Sequence, residues 1–89
     1  MVDIGYVYIL CLNNGRYYVG STNSILRRYR EHRKGSVKST NSVRPLKLTF
    51  FQKYDTLKQA RIIEYRIKKF KRRDIIERII KDRFIYSGD

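Results

Sequence analysis

The chain has 89 residues and carries 21 Lys or Arg against 8 Asp or Glu, a formal charge of +13 that selects a polyanion as partner, since each phosphate neutralised by a basic side chain releases condensed counterions. Its length suits one domain over residues 1–89 with a modest core, and one cysteine with one histidine excludes an internal disulfide, a cysteine-based zinc site and a histidine metal cluster, leaving any metal to carboxylates. No apolar run nears the roughly 20 residues that span a bilayer, and Met1 to Gly5 lacks the basic and apolar regions of a signal peptide, so a cytoplasmic protein with no membrane partner is expected.

Val7, Ile9 and Cys11 alternate with Tyr6, Tyr8 and Leu10, which predicts a strand apolar on both faces and therefore central in its sheet or covered twice. Asn13-Asn14-Gly15 supplies a tight turn, and Arg16 to Gly20 returns as the second strand of a hairpin. Two registers are open. A two-residue Asn14-Gly15 turn pairs Cys11 with Tyr18 and sends Tyr8 and Tyr18 to opposite faces. A three-residue turn ending in a glycine bulge pairs Leu10 with Tyr18 and Tyr8 with Gly20, and both tyrosines then share a face.

Ser21-Thr22-Asn23 offers capping oxygens ahead of Ile25, Leu26, Tyr29 and His32, so a helix is expected over residues 23–34, stopping at Gly35. Gly35 to Pro45 reads as an exposed basic loop, and Leu46, Leu48, Phe50 and Phe51 as a third strand. Thr56 and Gln59 form a capping-box pattern before a helix in which Ala60, Ile63, Ile67 and Phe70 share a face. Arg72-Arg73-Asp74 is the expected break, with Asp74 capping a last helix over residues 74–84. The result is an α+β fold of order ββαβαα: a small three-stranded antiparallel sheet flanked by helices.

Several side chains exceed what a small core requires. Arg28 and His32 are spaced i, i+4 and lie on one helix face, close enough to act on one group. Glu64 sits beside the apolar stripe of its helix rather than opposite it, so it faces partly inward. Taken singly, each has a plain structural reading: Tyr8 and Tyr18 as strand packing, Arg28 as one solvated charge among several, His32 as a satisfied polar group, and Glu64 as the i+4 partner of Lys68. Lys68, Lys69, Lys71, Arg72 and Arg73 form a basic run suited to nucleic-acid backbone contact without sequence readout.

Together these residues resemble the GIY-YIG nuclease family, which includes the amino-terminal nuclease module of the bacterial excision-repair endonuclease and small stand-alone proteins. Tyr6-Val7-Tyr8 corresponds to the first motif and Tyr18-Val19-Gly20 to the second; Arg28, His32 and Glu64, followed by Ile67-Lys68-Lys69, fall in order behind them. The resemblance covers Tyr6 to Phe70. It departs at Tyr6, where the family has glycine, at Ser21, where the repair enzyme has lysine, and in the lack of an asparagine in the carboxy-terminal helices.

The resemblance implies a divalent-metal-dependent endonuclease acting on DNA, structure-specific or of low specificity, in repair or recombination and with room for a targeting protein partner. Glu64 would hold Mg²⁺ or Mn²⁺ and Arg28 would bind the non-bridging phosphate oxygens. Tyr8 would take the proton of the attacking water with Tyr18 orienting it, or the reverse, and His32 would serve as base or proton relay. Arg28 and the metal are expected to lower the phenol pKa. The alternative from a different class is a non-catalytic binder of DNA or structured RNA that keeps the fold.

Overall fold

The computed structural model of the protein describes residues 3–40 and 45–85. Strand β1 (Gly5–Leu12) and strand β2 (Tyr17–Thr22) form the hairpin, helix α1 (Ile25–Lys34) follows, and a short 3₁₀ turn (Lys38–Thr40) leads towards strand β3 (Pro45–Tyr54). Helices α2 (Leu57–Phe70) and α3 (Arg73–Asp82) complete the expected ββαβαα order. The sheet is antiparallel in the order β2-β1-β3, so the strand that is apolar on both faces is the central one.

Each face of β1 has its own core. Val7 and Ile9 pack with Val19, Phe50 and the α2 stripe of Ala60, Ile63 and Ile67, while Tyr8, Leu10 and Leu12 pack with Tyr18, Leu48 and the α1 residues Ile25 and Tyr29. Burying each isoleucine of that stripe is worth about 1.5–3 kcal/mol, which explains why α2 holds its place on the sheet. Helix α1 is different: its one fully buried residue is His32.

The hairpin adopts the three-residue turn. Gly15 has a left-handed φ of +83°, its N–H donates to the Leu12 carbonyl, and Leu12 N–H donates to Arg16 O at 2.8 Å. Gly5 is needed at the start of β1 for another reason, because a Cβ there would stand 2.6 Å from the Leu57 Cα and push α2 off the strand.

Several details differ from expectation. Helix α1 is capped by Ser24, whose hydroxyl accepts from Arg27 N–H, while α2 has the capping box of Thr56 and Gln59. Helix α3 begins one residue early: Arg72 is its N-cap, and Asp74 lies in the first turn, where its charge complements the helix dipole and pairs with Arg72. Phe70 ends α2 at 59% exposure, so the buried stripe stops at Ile67. The stretch after Gly35 is not a fully exposed loop, since Val37 and Thr40 are buried; residues 41–44 lie outside the described residues.

Candidate active site at the hairpin edge

Strand register builds the first half of the site. Tyr8 lies opposite Gly20 and Leu10 opposite Tyr18, so the two tyrosines share the α1 face with ring centroids 6.2 Å apart. A Cβ at position 20 would collide with the Tyr8 phenol oxygen and ring. The glycine of the second motif is thus the space that the phenol occupies.

His32 enters from the third turn of α1 and closes this space. It is fully buried, and its ring stands edge-on to Tyr18 at 4.8 Å and to Tyr8 at 5.7 Å. Both ring nitrogens are engaged: Nε2 is 2.9 Å from the Tyr8 phenol oxygen and Nδ1 is 2.8 Å from the Thr40 hydroxyl. One turn earlier, the Arg28 guanidinium donates at 2.9 Å to the Glu31 carboxylate and lies near enough to the Tyr8 phenol to pull its pKa down. The i, i+4 pair therefore does converge on one group, and that group is the phenol.

Burial sets the protonation states. With 2% of its surface exposed, Tyr8 has its pKa pushed up to about 12, desolvation outweighing the Arg28 hydrogen bond. Arg28 acts in the expected direction, but without the metal one cation at a partly exposed position does not offset the cost of a buried phenolate. Burial first, then the neighbouring Arg28 charge, pushes His32 down to about 4. At neutral pH the pair is a phenol and a neutral imidazole.

Glu64 arrives from the opposite face. Ser21 pairs with Val7, so its side chain points to the α2 side of β2, and there its hydroxyl donates to Glu64 Oε1 at 2.5 Å. The other carboxylate oxygen takes Lys68 Nζ at 2.6 Å, and the Glu64 side chain is 19% exposed. Lys68 Nζ in turn sits 5.5 Å from the centre of the Tyr18 ring. Because β2 is an edge strand, Lys68 and Glu64 reach round it to meet the tyrosine face, and Tyr8 feels the Glu64 charge.

The basic run divides. Lys68, Lys71, Arg72 and Arg73 line a groove of about 440 Å³ between β2 and the α2–α3 junction, with Arg16 from the hairpin and an apolar floor that includes Val19 and Ile76. Arg73 stacks on Tyr17 with its guanidinium carbon 5.0 Å from the ring centre. Lys69 is exposed and does not line this groove. Tyr18 and Lys68 belong to both groove and pocket, which joins the two.

Among the described residues, no three His, Cys, Asp or Glu side chains come together to hold a metal. The donors that do converge, the Glu64 carboxylate and the Ser21 hydroxyl, are hard oxygens. They fit an ion that keeps most of its water, as Mg²⁺ and Mn²⁺ do, provided Lys68 gives up its place on Oε2. Ser21 and Thr40 were not foreseen as part of the site. The alternation of β2 could have placed Ser21 towards α2, but nothing local marks Thr40, which reaches His32 only because the chain folds back after Gly35.

These features agree with comparison to known proteins. A family model described as the GIY-YIG catalytic domain matches residues 4–78, and the chain belongs to this nuclease family. Among curated proteins it is similar to a UPF0213 protein of Listeria welshimeri, 36% identical over 70 residues that cover 78% of each chain. A UPF0213 protein of Clostridium perfringens is 34% identical over 77 residues, covering 85% of this chain and 83% of its own. One from Halobacterium salinarum is 35% identical over 68 residues, covering 75% and 88%. No solved structure matches the chain. Nucleases of the family generally use divalent metals, and among the described residues no helix is long and apolar enough to cross a membrane.

Proposed function

We propose that the protein is a divalent-metal-dependent endonuclease that hydrolyses DNA phosphodiester bonds with structural or low sequence specificity, in repair or recombination, finer targeting coming from a protein partner. The observation that carries this reading is the Tyr8 phenol, held in a steric hole made by Gly20, hydrogen-bonded with His32 and set beside the Arg28 cation. A buried tyrosine present only for packing needs one hydrogen-bond partner for its hydroxyl, and a neighbouring guanidinium is more than that need.

Tyr8 is the general base, and it works through His32. With the phenol near 12 and the imidazole near 4, a standing phenolate–imidazolium pair is costly, so the two transfers are coupled. Water gives its proton to the Tyr8 oxygen as Tyr8 gives its own to His32 Nε2; the hydroxide attacks phosphorus, the bond to the leaving oxygen breaks, and that oxygen takes a proton from solvent. His32 afterwards returns its proton through Tyr8. Tyr18 packs against the imidazole and keeps Tyr8 and His32 in line.

Arg28, about one-third exposed at its side chain, has donors to spare for a non-bridging phosphate oxygen. Glu64 and Ser21 would hold the metal, which would supply charge stabilisation for the phosphoryl group and the leaving oxygen. Lys68, Lys71, Arg72 and Arg73 carry the backbone of the nucleic acid along the groove, with Lys69 adding charge outside it.

A second reading rests on Glu64 itself, whose two oxygens are already taken by Ser21 and Lys68; if they stay taken, the protein is a basic nucleic-acid binder of the same fold. Branched, nicked and continuous duplex DNA incubated with Mg²⁺, Mn²⁺ or a chelator, beside Arg28→Ala and Glu64→Ala, separates the two. Metal-dependent cleavage that both substitutions abolish supports the nuclease. Binding without cleavage supports the binder, and equal cleavage by all three proteins points to a contaminant.

A further inference from the structure

Thr40 has no place in the mechanism as stated, yet it is fully buried and its hydroxyl is 2.8 Å from the one His32 nitrogen that the reaction does not use. The hydrogen-bond inventory of three buried groups fixes what it does there. The positive charge of Arg28 beside Tyr8 favours lone pairs of the phenol oxygen turned towards it, so the phenol hydrogen points the other way, to His32 Nε2 at 2.9 Å. A neutral imidazole has one N–H, and if Nε2 accepts, that hydrogen is on Nδ1. Thr40 Oγ1 then accepts from Nδ1. The opposite tautomer would aim an Nε2–H at that oxygen and leave the phenol hydrogen turned towards the Arg28 cation or without a partner, at a cost of about 1–3 kcal/mol. His32 and Thr40 have no exposed surface, so their hydrogen bonds are met within the protein.

We propose that Thr40 is the positioning residue of this site: by accepting the Nδ1 hydrogen it holds His32 in the tautomer whose Nε2 lone pair faces Tyr8. The catalytic consequence rests on the nuclease reading above, but the tautomer does not. Thr40 lies at the end of the 3₁₀ turn, so the segment after Gly35 forms the back wall of the pocket. It supplies the outer end of the chain Arg28, Tyr8, His32, Thr40.

The chain has one histidine, so nitrogen-15 NMR of the imidazole reports His32 without ambiguity. In the unaltered protein near pH 7, the spectrum is expected to show the proton on Nδ1. Thr40→Val, which keeps the shape and loses the acceptor, is expected to move it to Nε2 and to lower kcat about 100-fold with KM little changed. Thr40→Ser restores both. A proton on Nε2 in the unaltered protein overturns the proposal, and this needs no variant to fold. An unmoved proton and unchanged kcat in a folded Thr40→Val protein overturn it equally. Should the tautomer change in Thr40→Val while the unaltered protein cleaves no DNA, the positioning stands and the nuclease reading falls.

Discussion

His32 Nε2 lies 2.9 Å from the Tyr8 phenol oxygen across 24 positions of sequence. This contact exists because the Asn13-Asn14-Gly15 turn sets Tyr8 opposite Gly20, leaving the phenol a gap that His32 closes from α1.

Gly20→Ala tests that gap. The added methyl meets the Tyr8 ring and phenol, which cannot retreat from the α1 core. Denaturant unfolding should show a loss of about 1–3 kcal/mol, the range for overpacking. DNA cleavage should fall further than the lost stability accounts for, because the phenol is displaced from His32.

His32 should make the fold acid-sensitive in a defined window. Its folded pKa of about 4 lies below the ordinary value of 6.5, so between those pH values the unfolded chain binds the extra proton and stability must fall as pH falls. The groups facing it are Tyr8 and Tyr18 from the sheet, Arg28 and Glu31 on α1, and Thr40, and the partly exposed Glu31 does not reverse the sign. The loss approaches about 3 kcal/mol by pH 4. Melting temperatures from pH 7 to pH 4 should show this slope, and His32→Gln should flatten it.

Lys68 should oppose the metal. Its ammonium occupies Glu64 Oε2, so Lys68→Met should tighten Mn²⁺ binding, measured by calorimetry on the protein without DNA, while Glu64→Gln should abolish it. Weaker binding in Lys68→Met would mean that the lysine supports the ion rather than replacing it.

The groove cations should appear in the salt dependence of DNA binding. Each phosphate neutralised contributes about 0.9 to the slope of log K against log salt, so Lys71→Ala and Arg72→Ala should each lower the slope by up to that amount, whatever the DNA sequence. Lys69→Ala, outside the groove, should change it less.

Much of the frame was legible in the chain because it follows from local rules. The alternation of β1, the capping box at Thr56 and Gln59, and the left-handed glycine closing α1 each arise within a few residues. The hairpin register could be narrowed to two choices, and the observed pairing of Leu10 with Tyr18 decides between them. What sequence could not show depends on contacts across the fold. Regular alternation would put Leu48 and Phe50 on one face, but a bulge at Thr49, whose hydroxyl donates to the Ile9 carbonyl, sends Phe50 to the α2 core and Leu48 to the α1 core. Likewise the candidate residues could be named from the motif, but the approach of Glu64 round the β2 edge and the burial that raises the Tyr8 pKa are tertiary effects.

The most direct measurement is single-turnover cleavage of a branched DNA by Tyr8→Phe in the presence of Mn²⁺. The substitution removes one oxygen and leaves the ring packed, so binding should persist while the cleavage rate falls by about 10²-fold or more. Cleavage at the unaltered rate would show that the buried phenol is structural and that the proton of the attacking water goes elsewhere.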